Sequence, residues 1–191
     1  MLKKELRIEF QCKRLHLSKE EIKLNSSKIF ENLTQHFDLR NNNICTFLPI
    51  ESKNEIDTFQ LFFLKNKLNF KLFSTKWNTI SNELTIHRVD SISELIINEF
   101  QIPEPKQTTL SEKTEDISIV LVPLLCFDYQ GNRVGYGKGV YDKFLIKFNR
   151  KNTLFIGLSF FEPIDNISDI FENDVKLHYC ITPKTIYQFE K

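Results

Sequence analysis

The chain has 191 residues, 41% of them hydrophobic and 27% charged, and its 26 basic and 25 acidic side chains leave a formal net charge of +1. That length suits one domain, residues 1–191, with enough apolar material for a sizeable core. The charge balance excludes global attraction to nucleic acid or an anionic membrane, and no apolar run approaches the ~20 residues of a membrane span.

Residues 2–15 read as an amphipathic helix, with Leu2, Leu6, Phe10 and Leu17 near helical spacing. Lys3, Lys4, Glu5 and Arg7 interrupt any apolar run there, so no leader is expected and the chain reads as cytoplasmic. Ser18 with Glu21 forms a capping-box pattern that starts a second helix over 19–37. A buried strand is expected over 43–50, ended by Pro49, then a helix over 56–68 and a short strand over 70–73. Residues 84–89 alternate like a half-buried strand, 91–98 suit a helical turn, and the Pro-rich, polar 102–116 suits a surface loop. The most apolar run, 117–127, reads as a central strand ended by Pro123. A glycine-rich stretch follows, then a helix over 140–148 and strands over 153–161 and 177–182. Strands alternating with helices imply an α/β domain around a mostly parallel central sheet flanked by helices.

The four cysteines, Cys12, Cys45, Cys126 and Cys180, form no CxxC pair and read as reduced, mostly buried thiols. The four histidines show no metal spacing, and no Ser-His-Asp order stands out.

Glycine is the informative residue. The chain has 5, none of them before Gly131, and four crowd into Gly131-Asn-Arg-Val-Gly-Tyr-Gly-Lys-Gly139. A loop of this kind between strand and helix lets backbone N–H groups converge on an anion. Lys138 and Arg133 add charge to it. Two common templates fail. A P-loop ending at Lys138 needs glycine where Asn132 stands and Ser or Thr where Gly139 stands, and the dinucleotide pattern needs Gly or Ala where Val140 stands. A purely structural turn stays open as the alternative. Asp142 favours a helix start, or holds Mg²⁺ beside phosphates; Asp174 is a second candidate carboxylate or an ordinary loop acid. Lys3, Arg7 and Arg14 fall within roughly 40° on the helix wheel, either as a solvated stripe or as a cationic wall for a polyanion.

The segment 121–145 resembles the signature of the 5-formyltetrahydrofolate cyclo-ligase family. Pro123, Phe127, Asp128, Gly131, Arg133, Gly135, Gly137, Gly139, Tyr141 and Asp142 all match it. Lys3 and Arg7 match the K-x-x-x-R of the family's first helix, "NEIDT" places Glu55 at a substrate-contacting glutamate, "IPEP" matches I-x-E-P, and Asp174 falls at a Mg²⁺ ligand position. The turn before Glu55 is about two residues longer than usual. Phe100, Asn173, His178 and Val140 depart from common family residues.

The resemblance implies a Rossmann-like fold similar to the sugar-phosphate isomerase and CoA-transferase types, and a monomer acting on small molecules, not on nucleic acid or membrane. It implies ATP- and Mg²⁺-dependent conversion of 5-formyltetrahydrofolate to 5,10-methenyltetrahydrofolate. Lys138, Arg133 and Arg7 would be catalytic. ATP would be bound by Lys3, Lys4, Arg7 and the run Arg133, Val134, Gly135, Tyr136, Gly137, Lys138, Gly139, Val140 and Tyr141. Folate would meet Leu48, Glu55 and Tyr136 through Val140, and the metal Asp142 and Asp174. Two rivals are an ATP-independent isomerase or CoA transferase, and a nucleotide-sensing module without turnover.

Overall fold

A computed structural model describes residues 1–99, 101–106 and 111–189, with the backbone alone at 111–112. Phe100 and part of the expected 102–116 loop lie outside the described residues. The chain runs α1 (Lys3–Leu15), α2 (Lys19–His36), β1 (Asn43–Thr46), α3 (Gln60–Leu68), β2 (Lys71–Asn78), β3 (Glu83–Arg88), β4 (Leu95–Ile97), β5 (Pro103–Pro105) and β6 (Ser111–Glu112). It continues with β7 (Ile119–Pro123), β8 (Cys126–Phe127), β9 (Arg133–Val134), α4 (Val140–Leu145), β10 (Leu154–Leu158), β11 (Tyr179–Ile181) and β12 (Ile186–Gln188).

Eight strands form the main sheet in the order β12-β11-β10-β7-β1-β2-β3-β6. The pairings from β11 through β10, β7 and β1 to β2 are parallel, and the outer ones are antiparallel. β7 and β10 are apolar throughout because both faces are covered. Ile44, Leu72, Leu121 and Ile156 pack on one face with Ile29, Phe30 and Leu33 of α2 and Leu61 of α3. Their alternates Cys45, Phe73, Val122 and Phe155 pack on the other with Phe144 and Leu145 of α4. Cys45, Cys126 and Cys180 are buried free thiols, as expected, and burial pushes the Cys126 thiol up to about 12. No helix of the described residues is long and apolar enough to cross a membrane.

The α2 start is as expected: Glu21 N donates to Ser18 Oγ at 3.1 Å, and Ser18 N donates back to Glu21 Oε2 at 2.8 Å. Several boundaries differ. β1 stops at Thr46, and a 3-10 turn at Glu51–Lys53 follows. β2 runs on to Asn78 as one arm of an antiparallel pair with β3. A 3-10 turn at Ile92–Glu94 leads into β4, whose partner β5 lies in the segment expected to be loop. In the 117–127 run the central strand β7 ends at Pro123, as expected, but the run continues into β8, which pairs with β9 as a small separate hairpin. The β12 edge strand had no sequence signal beyond three residues.

Candidate active site

The hairpin β8-β9 aims the glycine loop, and a buried carboxylate shapes it. Asp128, fully buried, accepts hydrogen bonds from Gln130 N (3.0 Å), Asn132 N (3.0 Å), Asn132 Nδ2 (2.9 Å) and Ile167 N (3.3 Å). These donors leave water only because the carboxylate meets them. Asp128→Ala is therefore expected to cost ~3 kcal/mol in a urea denaturation curve, since it strands several buried N–H groups at once. An unchanged midpoint would show that water replaces the carboxylate.

Beyond that turn, side chains from distant segments converge. Arg133, its side chain 5% exposed, donates to Asp142 Oδ1 at 2.7 Å and to the Val175 carbonyl. Burial pulls the pKa of this guanidinium down, and the Asp142 charge opposes that. Val175 N also donates to Asp142 Oδ1, at 3.2 Å, which sets Asp174 beside Asp142. Asp174 Oδ2 pairs with the buried Lys3 ammonium and accepts from Phe171 N at 2.7 Å. Arg7 Nε donates to the Gly135 carbonyl at 3.1 Å. Lys138, exposed, rests with its ammonium 4.1 Å from the centre of the Trp77 ring.

These groups border one cleft of about 660 Å³, a volume suited to a small-molecule site. It opens beyond the carboxyl ends of β1, β2 and β7, where α/β sheets bind ligands. Lys3, Arg7, Leu48, Glu55, Arg133, Asp142 and Asp174 line it with every residue from Gly135 to Tyr141. One family accounts for this arrangement: the model of the 5-formyltetrahydrofolate cyclo-ligase family matches residues 1–183. The chain belongs to the 5-formyltetrahydrofolate cyclo-ligase family.

Its relatives include the mouse 5-formyltetrahydrofolate cyclo-ligase, 26% identical over 186 residues, or 92% of this chain and 90% of that protein. The Mycoplasma genitalium cyclo-ligase is 27% identical over 139 residues, 72% of each chain. The solved Aquifex aeolicus 5,10-methenyltetrahydrofolate synthetase superposes with a TM-score of 0.83 at 30% identity, covering all of this chain and 94% of that one. A Mycoplasma pneumoniae synthetase shares the fold, with a TM-score of 0.75 at 24% identity and coverage of 96% of this chain and 99% of that one. The enzyme class read from the motifs therefore stands.

Two expected ligand residues of this cyclo-ligase chain sit elsewhere. Lys4 is exposed and does not border the cleft, because it points away from the face that carries Lys3 and Arg7. Val134 is buried against Leu6, Phe10, Cys126 and Ile167, so its side chain is core. Glu104, the acid of the "IPEP" match, also lines the cleft from β5, and other lining residues had escaped notice: Thr75, Trp77 and Leu84 on the β2-β3 arm, and Asn98 just after β4. The single tryptophan was the one available signal.

Among the described residues, no three His, Cys, Asp or Glu side chains cluster as a metal cage. Asp142 and Asp174 nevertheless each keep an oxygen that a hard cation could take. Protein hydrogen bonds fall on Oδ1 of Asp142 and Oδ2 of Asp174, and the other oxygen of each takes none among the described residues. Mg²⁺ is bound through one or two carboxylates plus phosphate oxygens.

Proposed function

We propose that this cleft binds ATP beside 5-formyltetrahydrofolate and closes the folate to 5,10-methenyltetrahydrofolate, releasing ADP and phosphate. The observation that carries this is the meeting of Lys3, Arg7, Arg133 and Lys138 with two half-free carboxylates around a glycine loop. A formamide carbonyl is a poor electrophile. Its oxygen attacks the γ-phosphorus, ADP leaves, and the oxygen becomes a leaving group. Folate N10 then attacks the same carbon intramolecularly, phosphate departs, and the ring closes. Holding N10 against that carbon supplies much of the rate.

Loop amides from Gly135 to Gly139 and the Lys138 ammonium cradle the phosphates in this reading, while Arg7 and Arg133 offset their charge, as phosphoryl transfer requires. Asp142 and Asp174 would hold Mg²⁺, which would supply positive charge to offset that of the phosphates. Leu48, Glu55 and the Tyr136–Val140 segment face the folate. Every residue assigned here to the site comes from one chain, in keeping with a monomer acting on small molecules, and we place it in the cytoplasm.

The rise in near-ultraviolet absorbance of methenyltetrahydrofolate tests the reaction. It is expected to require both 5-formyltetrahydrofolate and ATP, and turnover without ATP would favour an isomerase or transferase instead. Lys138 is exposed and its loss should leave the fold intact, so Lys138→Ala is expected to lower kcat/KM by ~100-fold with an unchanged Tm. Full activity in that variant would remove Lys138 from the site.

A further inference from the structure

Arg14 lies on the same face of α1 as Lys3 and Arg7, yet the phosphate chemistry does not use it. Its side chain is 7% exposed, and Nη2 donates to the Tyr136 hydroxyl. That hydroxyl donates to Glu55 Oε1 at 2.5 Å, and Arg14 Nη2 lies 3.9 Å from the same oxygen. The other oxygen, Glu55 Oε2, accepts from Ile50 N at 2.9 Å. The order of donors is fixed by chemistry. A guanidinium only donates, so the phenol oxygen accepts from Arg14 and its one proton must go to Glu55. Burial, and next the Glu55 charge, push the Tyr136 phenol above its ordinary range, so it keeps that proton.

Two further observations bear on what this tether does. Arg14 Nε is buried without a partner among the described residues. A buried cation so incompletely satisfied stabilises a fold less than an apolar side chain of similar size. Separately, the Asn54 amide donates to the carbonyls of Arg14 (3.2 Å), Leu15 (3.4 Å) and Leu17 (3.3 Å), fixing the turn before Glu55 to the end of α1. Side chain and backbone thus tie the Glu55 turn to one helix end.

We propose that Arg14 is a positioning residue for the folate: through Tyr136 it holds the Glu55 carboxylate in place on the cleft wall, with both oxygens anchored before substrate arrives. This rests on the reading of Glu55 as a folate contact. In this geometry Arg14 reaches the cleft wall through the Tyr136 hydroxyl and Glu55, so its loss should weaken folate binding and spare ATP.

Calorimetric titration with 5-formyltetrahydrofolate alone tests this apart from turnover. Arg14→Met is expected to weaken folate binding by about ten-fold and to change the KM for ATP by less than about two-fold, with Arg14→Lys intermediate. In a Glu55→Gln background the same substitution should cost nothing more. Where Arg14→Met does not fold, Tyr136→Phe, which deletes only the bridging hydroxyl, is expected to show the same selective loss. In the free protein, the tyrosine ¹³Cζ signal missing from Tyr136→Phe should move in Arg14→Lys. Equal loss of folate and ATP affinity, an additive effect in Glu55→Gln, or an unmoved signal overturns the proposal. Folate binding that is unaltered in Glu55→Gln removes Glu55 from the substrate and the proposal with it. Failure of ATP-dependent turnover in the wild type would instead strike the reaction and leave the binding result to decide.

Discussion

Gly137→Ala is expected to lower kcat/KM by at least ~100-fold, the loss seen when a preorganised charge-stabilising group is removed, while the protein still folds. Gly137 has φ +90°, where an L side chain is strained, and a Cβ there would lie 2.9 Å from Arg7 Nε and 3.0 Å from its Cζ. The strain is of order 1–2 kcal/mol. The guanidinium is the far end of a flexible chain, so it moves rather than unfolding the protein. By moving it gives up Gly135 O and its place on the cleft wall. The main effect is therefore on turnover. Combined with Arg7→Met, Gly137→Ala should add little, since both displace one group. Gly135 provides the contrast, because a Cβ there meets nothing within 4 Å. Gly135→Ala should keep its Tm, and any loss of turnover in it measures how closely a ligand approaches the loop. Gly137→Ala activity within two-fold of wild type, by initial rates of methenyltetrahydrofolate formation, would refute the proposed role of Arg7.

The glycine loop was legible because its signal is local. Gly131, Gly137 and Gly139 all take positive φ, and in a chain this poor in glycine such positions stand out. The central sheet was legible because strands covered on both faces are apolar throughout. The same rule blurred their ends. Leu124, Leu125, Cys126 and Phe127 are as buried as β7, so the apolar run carries on past the strand. Pro123 and the β8-β9 pairing break it. The helix expected from residue 56 begins at Gln60 because the preceding residues serve the site and the core. Glu55 is tied to Ile50, and the Thr58 hydroxyl donates to Phe47 O at 2.7 Å. The cationic face of α1 is real, but its chemistry was not visible. Lys3, Arg7 and Arg14 each hold a protein partner — Asp174, Gly135 O and Tyr136 — more than 100 residues away in sequence. Helical spacing reports the face of a helix and not what that face meets.

Asp142→Ala is expected to lose both stability and activity, and for separable reasons. The partner Arg133 is buried, and among the described residues only the Val175 carbonyl besides Asp142 satisfies it. Removing one member of such a pair leaves a buried charge uncompensated, here about 3 kcal/mol. For a chain of this length that is a fall of roughly 6–12 °C in Tm. Turnover should fall further, by ~1000-fold, because the proposed Mg²⁺ ligand beside the phosphates is lost. Asp142→Asn divides the two effects. Its amide oxygen can still accept from Arg133 and Val175 N, so most of the stability should return. A neutral amide oxygen is a poor Mg²⁺ ligand beside phosphate, so turnover should not return. In Arg133→Met/Asp142→Ala the stranded charge is gone as well, and stability should recover part of the way without activity. Thermal denaturation and initial rates across a Mg²⁺ titration measure both arms. A wild-type Tm in Asp142→Ala would mean that the pair does not hold the loop. Wild-type turnover in Asp142→Asn would mean that the carboxylate charge is not used. Loss of turnover that excess Mg²⁺ partly restores in Asp142→Asn would place the carboxylate at the metal, as the free oxygen beside Asp174 leads one to expect.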